Sequence, residues 1–338
     1  MDSSELSKAD KPGHLAHSVS PSVRRDSDEA LVSVLMIAYN KEAYIGEAIK
    51  GVLKQEKALR RLGFGLELII MDDCSTDSTP EIIERYRREH PEAIRTVRNP
   101  RNLGLQGNYL AGFPLCRGRY MAICDADDYW FAASKLARQV RYMEAHPECA
   151  ITFHRMVNYY EDSGEMSLSN GGTLPLTDIT HLSRSNYITN SSVVYRRALV
   201  DLTSLPSWMH DITSPDYAMH IFYAAKGNIR FFRRPMGVYR KTSGSAWSMT
   251  DSLKRLRMAL DVRERLIEWL GDGYPSATEG LLKSMANINA AIKVAEESAE
   301  AASEEGSTSN SGKASPPKRG LATRFRAAVS RCLPRPRP

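Results

Sequence analysis

The chain has 338 residues, 42% of them hydrophobic and 25% charged, which is enough for one large core or a domain and a half. It offers no run approaching the roughly 20 apolar residues that span a bilayer, and its N-terminus lacks the apolar core of a secretory signal. The net charge of +6 is concentrated at one end: Lys313 to Pro338 holds eight basic residues and no acid, and taking those eight from +6 leaves the rest at −2.

Residues 1–29 are polar, Ser-rich and charged, and are predicted to be disordered. Val32 to Ala38 is a continuous apolar run rich in β-branched residues, as expected of a strand buried on both faces. It stops at Tyr39-Asn40-Lys41-Glu42, after which Tyr44, Ile45, Ala48, Ile49, Val52 and Leu53 recur at helical spacing. Leu66 to Met71 reads as a second strand ending in Asp72-Asp73. Ser78 or Thr79 is placed to cap the next helix, with Pro80 in its first turn. Arg95 to Arg98 is a third, short strand, followed by Asn99 to Gly104. Tyr120 to Cys124 is a fourth, and it runs directly into Asp125-Ala126-Asp127-Asp128 ahead of a helix over Lys135 to Glu144. Strand and helix alternating in this way imply right-handed βαβ units and a mixed, mostly parallel sheet flanked by helices.

In such sheets ligands bind beyond the carboxyl ends of the strands. Each polar cluster, at Tyr39-Asn40, Asp72-Asp73, Arg98 to Asn102 and Asp125 to Asp128, follows a strand at that end. Three carboxylates so close repel one another, so folding tolerates them only with positive charge among them. Hard oxygen ligands of this kind suit Mg²⁺ or Mn²⁺, which usually bridge to substrate phosphates. A solvated acidic turn that caps the following helix is the plainer alternative. There is no GxGxxG after the first strand and no GxxxxGK[ST] anywhere, which argues against a dinucleotide or P-loop site.

These segments together resemble family 2 glycosyltransferases, inverting enzymes of the GT-A fold that use nucleotide-diphospho-sugars and, in bacteria, build cell-surface polysaccharide. VSVLMIAYNKEAYIGEAI is similar to the family's opening, with Ala38 where Pro is usual. LELIIMDDCSTDST and RNLGLQGNYLAGFPLCRGRYMAICDADDYW match its second and third elements. Asn190 to Arg197 and Val238 to Trp247 resemble acceptor-side elements. The resemblance covers roughly two thirds of the chain, from about Val32 to Trp247.

The resemblance implies that Tyr39 borders the donor's base while backbone around Ala38 and Asn40 reads its edge. Asp72 would accept from a uracil imide nitrogen, with Asp73 beside the ribose. Arg98, Arg101 or Asn102 would lie near the diphosphate. Asp125 would lie near ribose or metal, and Asp127 would coordinate Mn²⁺ or Mg²⁺ between the two phosphates. Asp128 is expected to cap the next helix. The general base of an inverting transfer would be Asp216 in Pro215-Asp216-Tyr217, read as an exposed carboxylate near its ordinary pKa of about 4 that also serves as a helix N-cap. Asp211 is the runner-up. The family's common His after Tyr-Arg-x is Thr242 here, so a third protein ligand is in doubt, with His210 and His220 as candidate substitutes.

The domain reading is a disordered segment over 1–29, a GT-A domain over 30–250, a helical extension over 251–295 and a linker with a basic tail over 296–338. The extension, interrupted at Gly271 to Pro275, packs on the core or makes a homodimer contact. Leu321 to Leu333 is either a basic amphipathic helix on an anionic membrane surface or a solvated tail. Five cysteines, Cys74, Cys116, Cys124, Cys149 and Cys332, have neither metal-ligand nor paired spacing and imply reduced thiols in the cytoplasm. Expected partners are therefore a nucleotide-diphospho-sugar, UDP-linked as first choice, and a saccharide or lipid-linked acceptor at the inner face of the plasma membrane. Nucleic acid is not among them, for want of aromatic–basic interleaving. The rival functions are a nucleotidyltransferase and a non-catalytic sugar-nucleotide-binding protein.

Overall fold

The computed structural model describes residues 30–212, 214–242 and 251–305. The predicted disordered N-terminus, the part of the acceptor-side motif from Ser243 to Trp247 and the basic tail lie outside the described residues.

Strand β1 (Leu31–Ala38) has no polar face. Val32, Val34, Met36 and Ala38 enter one apolar cluster, and Leu35 and Ile37 enter another on the opposite side of the sheet. Such a strand must be covered on both faces, and the chain supplies the cover from its crossovers. Helices α1 (Ile45–Leu53) and α2 (Glu56–Arg60) lead to β2 (Gly65–Asp72). Helix α3 (Thr79–Glu89) leads to β3 (Ile94–Arg98), and α4 (Gly104–Gly112) to β4 (Tyr120–Ile123). The order β3-β2-β1-β4 is parallel throughout. Ser78 precedes α3 without a side-chain cap; Asp77 accepts from Thr79 N at 3.0 Å and Glu42 from Ser78 N at 2.9 Å. The carboxylates take this task because the loop after β1 lies against the start of α3.

Beyond β4 come β5 (Tyr129–Trp130), α5 (Lys135–Ala145), β6 (Cys149–Tyr160), β7 (Met166–Leu168) and β8 (Leu176–Thr177). They are followed by α6 (Ile179–Arg184), β9 (Val194–Arg196), α7 (Pro215–Ala224) and β10 (Asn228–Lys241). The sheet continues from β4 through β9, β6 and β10 to β5. Strand β10 is parallel to β6, whereas β9 is antiparallel to both its neighbours and β5 is antiparallel to β10. The parallel character predicted from the sequence is thus complete before β4 and is diluted after it by short antiparallel strands.

Helices α8 (Ser252–Leu270) and α9 (Pro275–Glu305) belong to the same core. Val262, Leu266, Leu270, Ala277 and Leu281 join the cluster that contains Leu35 and Phe113. The approach of α9 to α6 requires glycine: a Cβ on Gly280 would stand 2.0 Å from Ser183 Oγ. Helix α9 continues to Glu305, although a linker was expected from residue 296. The Ala- and Glu-rich run that reads as a linker by composition is also strongly helix-forming. Among the described residues, no helix is long and apolar enough to cross a membrane.

Candidate active site

The parallel register brings three strand ends into line. Ala38 pairs with Asp72, and Asp72 with Arg98. Tyr39, next along β1, is 45% exposed and forms an open aromatic face beside them. Asp72 is buried, accepts from Ser75 N at 3.3 Å, and has Oδ2 3.3 Å from Arg98 Nε; that oxygen makes no hydrogen bond of good geometry. Arg98 also donates to Ser75 O at 2.9 Å. Of the three residues offered for the diphosphate, Arg98 therefore stands at Asp72. Arg101 is exposed in the loop after β3, and Asn102 accepts from Gly104 N at 2.8 Å at the start of α4. Asn40 takes a left-handed φ of 52°, which Asn tolerates better than most residues. It is pinned by Ser75 Oγ at 2.9 Å and by Thr76 N at 2.8 Å.

Asp73 has different work from that expected. It is 2% exposed, and its oxygens accept from Asn99 Nδ2, Leu103 N and Gly104 N at 2.8–2.9 Å. Three donors already hold it, so it fixes the start of α4.

Past β4 the chain stays beside β1, with Cys124 N donating to Leu35 O and Ala126 N to Ile37 O. This delivers Asp125 and Asp127 to the same edge as Tyr39 and Asp72. Asp125 accepts from the Tyr109 hydroxyl, from Ser191 Oγ at 3.2 Å and from Asn190 Nδ2 at 3.4 Å. Burial and the neighbouring Asp127 push its pKa up to about 6, against the lowering effect of those donors. Asp127 Oδ2 lies 2.8 Å from Lys41 Nζ. Lys41 is the positive charge that the clustered acids require. Asp128 is fully buried and does not cap α5, whose N-cap is Ser134. Its Oδ1 accepts from Arg240 N at 2.9 Å, Oδ2 has no partner, and burial followed by Asp127 and Asp125 holds its pKa well above the ordinary range.

The floor of this loop comes from segments that sequence reading assigned to the acceptor or passed over. Ser191 Oγ accepts from Asp125 N at 3.0 Å, and Ser191 O accepts from the buried Trp130 indole at 2.6 Å. Arg240 donates to Asp127 O at 2.7 Å and to Glu47, while its guanidinium lies over the Tyr44 and Tyr129 rings. Lys41, Tyr109 and Arg240 were all missed as site residues. The need for a cation was legible, but which of many basic residues supplies it depends on tertiary contacts.

Asp216 lies in the first turn of α7, across a small pocket lined by Tyr109, Ile123, Asn190, Tyr195, Asp216 and Met219. The N-cap is Ser214 rather than Asp216, and the carboxyl is partly buried instead of exposed. Burial raises its pKa, opposed by hydrogen bonds from Tyr217 N and Asn186, the latter at 3.4 Å. Tyr109 and Tyr239 are held far from ionisation, first by their own burial and then by surrounding carboxylates that for both include Asp125, Asp127 and Asp216. Tyr109 and Asn190, which donate to Asp125, line the same pocket as Asp216.

The runner-up Asp211 is exposed and lies 3.8 Å from Arg265 on α8. His220 does not reach the acids. It is fully buried, its Nδ1 is 2.6 Å from the Tyr195 hydroxyl, and burial lowers its pKa to about 3. His210 sits in the exposed turn Ser207–His210. Among the described residues, no three His, Cys, Asp or Glu side chains form a group able to hold a metal ion by themselves.

The mixed, mostly parallel sheet flanked by helices is a GT-A fold. The model of the family "Glycosyl transferase family 2" matches residues 33–202, and the chain belongs to that family. The chain is a glycosyltransferase. It is 32% identical over 256 residues to an uncharacterised protein of Mycobacterium tuberculosis, covering 74% of this chain and 68% of the relative. It is 28% identical over 197 residues to the Escherichia coli UDP-Glc:alpha-D-GlcNAc-diphosphoundecaprenol beta-1,3-glucosyltransferase WfaP, covering 58% of this chain and 71% of that one. The fold is similar to that of the mannosyltransferase PcManGT from Pyrobaculum calidifontis, solved in complex with GDP-Man and Mn²⁺. That match has a TM-score of 0.57 and 18% identity over 90% of this chain and 81% of the other. Family membership sets aside the nucleotidyltransferase alternative.

Proposed function

We propose that the protein transfers a sugar, with inversion, from a nucleotide-diphospho-sugar to a saccharide or lipid-linked saccharide. The observation that carries this reading is the convergence of Tyr39, Asp72, Asp125 and Asp127 on one strand-end edge, with Asp216 lining a pocket together with Tyr109 and Asn190, two of the donors to Asp125. Tyr39 packs on the donor's base and Asp72 accepts from it. UDP is the first choice of donor nucleotide, in keeping with the UDP-Glc named for the E. coli relative.

The residues present fit a divalent cation of one particular kind. Asp125 and Asp127 offer hard oxygens, and no third donor closes the shell among the described residues. That suits Mg²⁺ or Mn²⁺, which are commonly held by one or two carboxylates plus substrate phosphates and water. Held by Asp125 and Asp127, such a cation would supply Lewis-acid neutralisation of the charge on a departing diphosphate. Asp216 accepts the proton of the acceptor hydroxyl as its oxygen bonds to the anomeric carbon from the face opposite the diphosphate. The nucleoside diphosphate leaves with the bonding electron pair. Raised by burial, Asp216 is a stronger base than a solvated carboxylate while remaining able to ionise.

A lipid-linked acceptor, as named for the E. coli relative, is in keeping with work at the inner face of the plasma membrane. Assay of transfer or donor hydrolysis over a panel of UDP-, GDP- and dTDP-sugars tests the reading. Asp216→Asn is expected to lower turnover by about 10²–10⁴-fold with donor affinity retained. Full turnover in that variant removes Asp216 as the base. Binding of sugar nucleotides without turnover of any of them supports the non-catalytic alternative.

A further inference from the structure

We propose that Lys41 is an internal cation that occupies Asp127 until donor and metal arrive together, and then transfers to the donor's diphosphate. This rests on the reading that Asp127 meets a divalent cation.

The argument begins with what can move. The backbone on both sides of the Lys41–Asp127 pair is anchored. Lys41 N donates to Thr79 Oγ1 at 2.7 Å, and Asn40 before it is held by Ser75 and Thr76. Asp127 O is held by the Arg240 guanidinium, and Asp128 Oδ1 by Arg240 N. The 2.8 Å contact between Lys41 Nζ and Asp127 Oδ2 joins two side chains that are each about a fifth exposed, 23% and 22%. It can therefore open without disturbing either chain segment.

Chemistry fits the exchange. A lysine ammonium is a compact point charge on a flexible stem, and it pairs with carboxylate or phosphate without the fixed bidentate geometry of arginine. Arg240 cannot serve in its place, because Asp127 O, Glu47 and two tyrosine rings already fix its guanidinium. A divalent ion arriving alone must displace Lys41 and leave its ammonium beside a second positive charge. An ion arriving with a diphosphate gives the ammonium a new anion. Lys41 therefore couples the two bindings, and that coupling is reciprocal. The device keeps Asp127 from collecting metal in the absence of donor.

The test is titration with Mn²⁺ alone, read by the loss of the free-ion paramagnetic resonance signal, and its repetition with UDP. It compares wild type, Lys41→Met, Lys41→Arg and Asp127→Asn. Lys41→Met is expected to bind Mn²⁺ alone about fivefold more tightly than wild type, the scale of a partly exposed ion pair. It should also lose most of the enhancement that UDP gives, while Lys41→Arg stays close to wild type. Unchanged or weaker Mn²⁺ binding in Lys41→Met, with Asp127→Asn impaired, overturns the coupling role and leaves the metal site standing. Mn²⁺ binding unaffected by Asp127→Asn, with or without UDP, removes the metal site itself and the inference with it.

Discussion

Asp216 and His220 lie one turn apart on α7, and burial drives their pKa values in opposite directions: the carboxyl up, the imidazole down to about 3. The cause is common, since a low-dielectric setting disfavours whichever form carries charge. For catalysis the consequence falls on Asp216. With a raised pKa, Asp216, the base proposed above, is lost to protonation at a higher pH than a solvated Asp would be. The acidic limb of kcat/KM is therefore expected to lie above the ordinary carboxylate value of about 4. A pH–rate profile checks this, and a limb at or below 4 would contradict the burial of the base. Sequence reading placed Asp216 ahead of an apolar helix but took it to be exposed, whereas it is partly buried. The neighbours that bury it come from α4 and from the segment before β9, far away in sequence.

At the scale of elements, the edge opposite the site is stapled by Glu67 on β2. It is 3% exposed and accepts from Ser33 Oγ, from Arg117 N at 3.1 Å, from Arg117 Nη2 at 2.9 Å and from Arg95 Nη1 at 3.3 Å. Ser33 Oγ in turn accepts from Gly118 N at 2.8 Å, so one carboxylate ties β1, β2, β3 and the approach to β4 together. Removing it leaves a buried hydroxyl and two arginines without their anion. Glu67→Ala is expected to lower unfolding free energy by about 2–4 kcal/mol, measured by urea denaturation. A loss under about 0.5 kcal/mol, typical of surface changes, would contradict the staple. The parallel strands and helices α1 and α3 were legible from apolar runs, helical spacing and a capping signal, whereas α2 and α4 were not read from the sequence. Glu67 was not, because a single Glu inside an apolar run carries no sign of the arginines that meet it. The short β7 and β8 were missed as well: at two or three residues they are too brief for periodicity to register.

Across the whole molecule, the C-terminal helices act on the site from behind. Arg263 of α8 is buried, lies 4.8 Å over the Tyr217 ring and donates to Ser284 of α9 at 2.9 Å. Tyr217 follows Asp216 directly and donates to Leu182 O and Ser183 O of α6. The extension thus supports the turn that carries Asp216. Its helical nature could be read from spacing, whereas its contact with α7 belongs to the tertiary fold. The site's two sides differed in the same way. Tyr39, Asp72, Asp125 and Asp127 follow strand ends in chain order, and that placement was visible in the sequence. The supports under it, Tyr109, Asn190, Ser191 and Arg240, converge from separate elements and were not.

Calorimetric titration with UDP, GDP, dTDP and CDP, with and without Mn²⁺, on wild type and Asp127→Ala, tests the central claim most directly. One diphosphate is expected to bind in a metal-dependent way, and that dependence should vanish in Asp127→Ala. At a hundred times its dissociation constant, the ligand should stabilise the fold by about 2.7 kcal/mol. Binding indifferent to both the metal and Asp127, or no binding of any of the four, would contradict the assignment of the strand-end carboxylates as the donor site.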